Sequence, residues 1–254
     1  MDLFLFPWAI HFTTCPSESV LSLTLSVSGL SAGWHTLTAD VTCGNISRSV
    51  TRTFYVSADG IVAGSDNLAG GKFSDVPVSS WCYKYVESVY KQGLFSGTGE
   101  TIFEPNANMT RAMFVTVLGR LAEQMGENVS GYTSGFNDVK SGTWYTSYVA
   151  WATANGIVNG YDSNTFGTND SVTREQMMTI LVRFAEYMNI TLDSSTSYSF
   201  TDMDSVSAWA KSAITKAAAA GLIAGYTDGT LKPQGTATRA EVAAVFYRFS
   251  AAYK

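Results

Sequence analysis

Between residues 20 and 56 apolar and polar positions alternate with a period of two. Leu21, Leu23, Leu25 and Val27 are interleaved with Ser and Thr, Leu37, Ala39, Val41 and Cys43 follow, and Val50, Phe54 and Val56 continue the pattern. Alternation of this kind gives a strand one apolar face. Cys43-Gly44-Asn45-Ile46 predicts a turn between two such strands. Three strands are too few to close a sandwich, so residues 1–57 read as a β-rich fragment, with a Gly-, Ala-, Ser- and Asp-rich linker at 58–72.

Beyond that point the period becomes helical and the sequence repeats itself. Trp81, Trp144 and Trp209 lie 63 and 65 residues apart, and Thr110-Arg111, Thr173-Arg174 and Thr238-Arg239 keep the same intervals. So do the pentapeptides opening at Gly93, Gly156 and Gly221, and each copy begins with an aromatic-x-Asp signature at Phe73, Phe136 or Phe200. Residues 73–131, 136–195 and 200–254 are three copies of one unit. Each copy reads as helix, glycine-bounded turn, loop and second helix. Val86 and Val89, Val149 and Ala152, and Ile214 and Ala217 give the first helix its buried face. Gly93, Gly156 and Gly221 sit where that helix would end in a left-handed residue.

The second helix is expected to start after the Thr. Thr173 with Gln176 and Thr238 with Glu241 form capping boxes, while Met113 leaves repeat 1 with a cap weaker by about 0.5–1 kcal/mol. Its apolar stripe recurs as Phe114/Val117/Leu118/Leu121, Met177/Ile180/Leu181/Phe184 and Val242/Val245/Phe246/Phe249. A two-helix unit cannot cover such a stripe alone. The three units must therefore pack on one another, most economically as a pseudo-threefold, mainly α assembly.

Composition narrows the function. The 254 residues are 46% apolar and 13% aromatic with a net charge of −5, which favours a packed core and disfavours nucleic-acid binding. No apolar run, neither Leu3 to Phe6 nor the longer Val242 to Tyr247, approaches the ~20 residues of a membrane span. Asp2 and Pro7 make the N-terminus a poor match to a secretory leader. His11 and His35 both fall in the β fragment, and no HExxH, CxxC or phosphate-binding glycine loop occurs, so neither catalysis nor a resident metal or cofactor is expected. Cys15 and Cys43 could pair in an exported protein, whereas Cys82 reads as a buried, inert thiol.

The repeated residues are the candidate site. Arg111, Arg174 and Arg239 occupy the first helical position, where a cation opposes the macrodipole by roughly 0.3–1 kcal/mol. Each could meet an anion, its planar fork joined by amides of the helix N-terminus. Each could equally bridge to a neighbouring repeat, for instance to Asp75, Asp138 or Asp202. Because the macrodipole gives a cation nothing at that position, the arginine is expected to serve the ligand and not the fold, so that Arg239→Ala should alter stability by no more than about 0.5 kcal/mol. A second set, Arg120, Arg183 and Arg248, reads as snorkelling stems beside the stripe. Trp81, Trp144 and Trp209 could stack on a sugar, although a core anchor is the commoner fate. The three Asp residues could cap the segment before the Trp or accept ligand hydroxyls. Gly97, Gly160 and Gly225 suit a tight turn or a close ligand approach.

Taken together, aromatic-x-Asp, Trp, Gly-Leu/Ile-x-x-Gly, Gly225-Tyr-Thr-Asp-Gly-Thr230 and Thr238-Arg-Ala-Glu241 resemble the S-layer homology (SLH) domain over residues 73–254. The phrase Gly29 to Leu37 resembles the end of a bacterial immunoglobulin-like module. The SLH resemblance implies a three-pronged spindle around a central three-helix bundle, with ligand grooves between adjacent repeats. It also implies an extracellular role: non-covalent attachment to a secondary cell wall polymer whose pyruvylated sugar supplies the anion. Carried over by position, the glycan-binding candidates are Arg111, Arg174, Arg239, Trp81, Trp144, Trp209, Asp75, Asp138, Asp202, Gly97, Gly160 and Gly225. Repeat 1 departs furthest from the pattern, with Met113 in its Thr-Arg motif and Thr98 where the others have Tyr161 and Tyr226, so grooves built from repeats 2 and 3 are favoured. Two other readings are a protein-binding or self-assembling scaffold, and the C-terminal anchor of a surface glycan-active enzyme whose catalytic domain lies outside this chain.

Overall fold

The computed structural model describes residues 7–11, 20–24, 31, 33–43, 46–56, 62–64, 71–193 and 198–252. Leu25, Val27 and Cys15, invoked above, lie outside them. The chain divides into two compact units, Met1–Trp81 and Cys82–Lys254.

In the first unit, β1 (Pro7–His11) pairs antiparallel with β2 (Val20–Thr24). A separate sheet runs β3 (Gly33–Cys43), β4 (Ile46–Val56), β5 (Val62–Gly64), antiparallel throughout, with Cys43 opposite Ile46 at the expected turn. Two strands were not expected. Trp8, Ala9 and Ile10 pair with β2, although Pro7 marks a break in the apolar pattern. Within the stretch expected as a linker at 58–72, Val62–Gly64 pairs along β4 from Val56 back to Phe54. The division at 81/82 also groups the opening of repeat 1 with the strands.

The second unit is helical. The first helices of the repeats are α1 (Tyr83–Lys91), α3 (Thr146–Ala154) and α5 (Lys211–Ala219), and the second helices are α2 (Arg111–Gln124), α4 (Arg174–Tyr187) and α6 (Arg239–Ala252). Gly93, Gly156 and Gly221 have φ of 70°, 68° and 66°. Beyond each, the amide of Leu94, Ile157 or Leu222 donates to the carbonyl of Val89, Ala152 or Ala217. This is the six-to-one bond of a Schellman stop, a backbone shape that glycine adopts without steric cost. Arg120 and Arg248 brace the stop of their own repeats, their Nη1 atoms donating to the carbonyls of Leu94 and Leu222. Both capping boxes form as expected, and Thr110 accepts from the Met113 amide without a return bond from Met113.

The repeats close into a ring. Helix α3 packs on α2, α5 on α4, and α1 on α6, so each first helix lies against the second helix of the preceding repeat. Every stripe position named above is buried, and Phe114–Phe246 and Phe184–Phe249 contacts at 5.5 and 5.9 Å join α2 and α4 to α6. At one end the three strand-like segments ahead of the second helices form a hydrogen-bonded triangle. The Met109 amide donates to Ala237, that of Ala237 to Val172, and that of Val172 back to Met109, each within 2.9 Å. The fold is thus the mainly α, three-repeat architecture expected, with a small β segment ahead of it. Among the described residues no helix is long and apolar enough to cross a membrane.

Candidate functional site at the repeat boundaries

The first helical position carries the arginines into the boundaries between repeats. They are not surface groups: Arg111, Arg174 and Arg239 are only 4%, 4% and 6% exposed. Each makes the same pair of bonds to the following repeat, counted round the ring. Nε donates to the carbonyl of Phe166, Leu231 or Phe103, and Nη2 to that of Asn159, Ala224 or Ser96. A tie between repeats is therefore present, but its acceptors are backbone carbonyls. Arg174 adds a salt bridge, and its partner is Glu241 at 3.0 Å rather than Asp202. Burial lowers the pKa of Arg111, while Tyr161, Asp170 and Asp138 raise it.

The helix N-terminus adds no free amides for an anion. The amides of Arg111, Arg174 and Arg239 donate to Asp170, Gly235 and Ala107, and those of Ala112, Glu175 and Ala240 to Thr168, Pro233 and Pro105. The third amide of each helix goes to the capping Thr hydroxyl. The donors that a helix start leaves unpaired are thus satisfied across the ring.

Asp138 and Asp202 serve the loop ahead of the second helix, not the segment before the Trp. Asp138 accepts from the amides of Phe166, Gly167 and Thr168 at 2.8–3.0 Å and from the Thr168 hydroxyl. Burial pushes its carboxyl up, but the hydrogen bonds outweigh it and hold the pKa down to about 2. Asp202 accepts from Leu231 and Lys232 in the same way. One residue is consequently clamped from both sides. Phe166 gives its amide to Asp138 and its carbonyl to Arg111, and Leu231 does likewise with Asp202 and Arg174. Asp75 and Gly97 lie half-buried. Gly160 and Gly225 owe their identity to the fold. A Cβ on Gly160 would lie 2.4 Å from the Phe136 ring and 2.6 Å from the Thr165 carbonyl, and one on Gly225 would lie 2.7 Å from the Thr230 carbonyl. No ligand is needed to explain either glycine.

The tryptophans overturn the commoner expectation. Trp81, Trp144 and Trp209 are 60%, 56% and 54% exposed, so none is a core anchor. Sequence reasoning left out of the site the aromatic residue after the second glycine. Tyr161 and Tyr226 are exposed, and their rings lie 4.7 and 4.8 Å from the guanidinium carbons of Arg111 and Arg174. A guanidinium so placed is attracted to the ring face. The signal was the Thr98/Tyr161/Tyr226 series itself. A further cleft of about 410 Å³ lies between α4 and α5, floored by Val182, Ala185, Ile190 and Leu192, and no predicted site residue lines it. Among the described residues no cluster of potential metal ligands occurs.

Known proteins share this pattern. The model of the S-layer homology domain matches residues 72–113, 135–178 and 199–243. An amylopullulanase of Thermoanaerobacterium thermosulfurigenes is 35% identical over 69% of this chain, which spans 9% of that protein. A cellulosome-anchoring protein of Acetivibrio thermocellus is 30% identical over 58% of the chain and is 33% covered. An S-layer protein of Bacillus thuringiensis subsp. finitimus is 26% identical over 69% of the chain and is 21% covered. The chain therefore corresponds to a small part of each of these relatives.

Proposed function

The chain belongs to the S-layer homology domain family, and from that premise we propose that it is an anchoring module holding a larger protein on a bacterial cell envelope by binding an acidic wall glycan non-covalently. The observation that carries the glycan reading is the exposure of Trp81, Trp144 and Trp209 at one register of all three repeats. Large indole faces left in water are costly at about 25 cal/mol per Å² of apolar surface, and they are the surfaces on which a sugar ring stacks. The ligand is a secondary cell wall polymer bearing a carboxylated, pyruvylated sugar. Its acid is read at a boundary arginine and its rings by the tryptophans. The repeats themselves are non-catalytic. Relatives named as an amylopullulanase and a cellulosome-anchoring protein make a surface enzyme or an assembly protein the natural cargo.

Cosedimentation of the chain with sacculi, before and after the secondary polymer is stripped, tests this. Retention should vanish with the polymer. Undiminished retention on stripped sacculi would replace the glycan reading with a protein-binding scaffold.

A further inference from the structure

Where a first helix packs on the second helix of the preceding repeat, the three boundaries are filled differently. By the repeat intervals, Gly119, Val182 and Tyr247 share one place on α2, α4 and α6, and Tyr148, Ala213 and Tyr85 share one on the helices packed against them. At the α2–α3 boundary the Tyr148 ring lies directly on Gly119, where an added Cβ would fall 2.2 Å from the ring. The Tyr148 hydroxyl donates to Glu123 Oε2 at 3.1 Å. One turn further along α3, Trp151 is fully buried with its ring 5.8 Å from that of Tyr187, and the Tyr187 hydroxyl donates to Glu127 at 2.8 Å. At the α6–α1 boundary Tyr247 and Tyr85 meet edge to face at 5.2 Å. Aromatic side chains thus close both of these boundaries.

At the α4–α5 boundary Val182 and Ala213 stand in those places, and Lys216 replaces Trp151. The cleft of about 410 Å³ lies here. Its α4 wall is built from counterparts of the groups that hold the aromatic residues on α2: Val182 corresponds to Gly119, Glu186 to Glu123 and Ile190 to Glu127. Lys216 extends to Glu186, its Nζ 2.6 Å from Oε1, and both side chains are more than half exposed. The ion pair therefore joins the two walls at the solvent side, above the apolar floor of Val182, Ala185, Ile190 and Leu192. Val182 is eight residues beyond Arg174, about 12 Å along the helix, which separates the cleft from the boundary arginine.

We infer that this cleft binds a small phenol, its ring held between α4 and α5 and its hydroxyl donating to Glu186 as Tyr148 donates to Glu123. Lys216 takes Oε1 of that carboxylate and the phenol takes Oε2. A pocket of this size, mostly apolar with a few polar groups at one side, has the make-up of a small-molecule site. Burial of the ring drives binding, and the carboxylate selects a ring with a hydroxyl over a bare one, because a bond to a charged acceptor is the stronger kind. The occupant is a free molecule and not a tyrosine of a partner protein, since the Glu186–Lys216 pair crosses the side from which a polypeptide backbone would have to approach.

Titration of p-cresol into the whole chain, followed by NMR at the methyl groups of Val182, Ile190 and Leu192, tests this. Those resonances should move saturably, with toluene binding about fivefold more weakly for want of the hydrogen bond. Acetyl-tyrosine amide, which adds a peptide backbone to the same phenol, should bind more weakly than p-cresol. Glu186→Gln should weaken p-cresol about threefold or more and leave toluene unchanged. Lys216→Trp, which restores the residue of α3, should abolish the response without lowering the melting temperature. If that variant does not fold, Ala219→Leu should narrow the cleft to the same effect. No saturable response, equal binding of toluene and p-cresol, or undiminished binding by a folded cleft-filling variant would overturn the inference. Tighter binding of the tyrosine derivative would overturn it too, by making a polypeptide the occupant.

Discussion

Replacing Arg174 by Ala should destabilise the helical unit by about 4 kcal/mol. The side chain is 4% exposed and gives hydrogen bonds of 2.7 and 3.2 Å to the carbonyls of Leu231 and Ala224, with a third of 3.0 Å to Glu241. Hydrogen bonds from a charged donor contribute about 1.5–3 kcal/mol each, and a buried acceptor left unpaired costs about 1–3 kcal/mol. Breaking a buried ion pair from one side costs about 3–5 kcal/mol. Glu241 keeps partial solvent access and its bond from Tyr226, and these contributions overlap, so about 4 kcal/mol is the working figure. For a unit of this size each kcal/mol lowers Tm by about 2–4 °C, which predicts a fall of roughly 10 °C.

Calorimetry and urea unfolding on the same variant read this out. Arg174→Lys should recover less than half of the loss, because a single ammonium cannot span two carbonyls and a carboxylate in one plane. In a double-mutant cycle with Glu241→Gln the pair should show a coupling of about 1–2 kcal/mol. A loss below about 1 kcal/mol for Arg174→Ala would refute the reasoning. The boundary arginines would then be the ligand groups that the first helical position suggests, with the small stability cost expected of Arg239→Ala on that reading.

Four further outcomes follow from the same geometry. The pKa of Asp138 is held down to about 2 in the folded state, below the ordinary carboxylate value of about 3.9. Its stabilisation is therefore complete above that ordinary value and lost as pH falls toward 2, so acid unfolding should show a limb there that Asp138→Asn flattens from a lower plateau. Gly160→Ala should cost about 1–3 kcal/mol by thermal melting, because its Cβ would overlap the Phe136 ring and two turn carbonyls. Trp144→Ala and Trp209→Ala should change stability by no more than about 1 kcal/mol yet weaken sacculus retention about tenfold, equivalent to about 1.4 kcal/mol; unchanged retention would remove the tryptophans from the site. Cleavage near Gly131 should leave repeat 1 without cooperative folding in calorimetry, since the triangle of Met109, Val172 and Ala237 cannot form from one repeat.

What was legible in the sequence was what a single repeat fixes for itself. The stripe from Phe114 to Leu121, the glycine at each helix stop and the capping boxes are local patterns, and all three stand where the periodicity put them. What escaped it lies between repeats. Arg111 reaches Asn159 and Phe166, and Arg239 reaches Ser96 and Phe103, contacts that no short-range period encodes. The helix position of the arginine argued correctly that the macrodipole gives no reason for it there. It could not reveal that carbonyls of the next repeat supply the reason. The tryptophans failed for a different cause: apolar bulk argues for burial on average, and only geometry shows that three indoles are left outside. In the strand region, Val62–Gly64 is too short a segment for alternation to register.

Ring closure explains why each boundary arginine belongs to the fold. Each second helix starts where two repeats meet, and its first two amides are satisfied only when the following repeat, counted round the ring, is docked. The carbonyls that complete each guanidinium come with the same docking, and the aspartate of the following repeat holds the loop that carries one of them: Asp138 for Arg111 and Asp202 for Arg174. The arginine is therefore held with two nitrogens fixed by carbonyls of the next repeat. Glu241 meets Arg174, whereas Gln176, its counterpart in repeat 2, turns to its own cap. The triplication thus supplies the scaffold, and docking of the next repeat completes the hydrogen bonds of each boundary arginine.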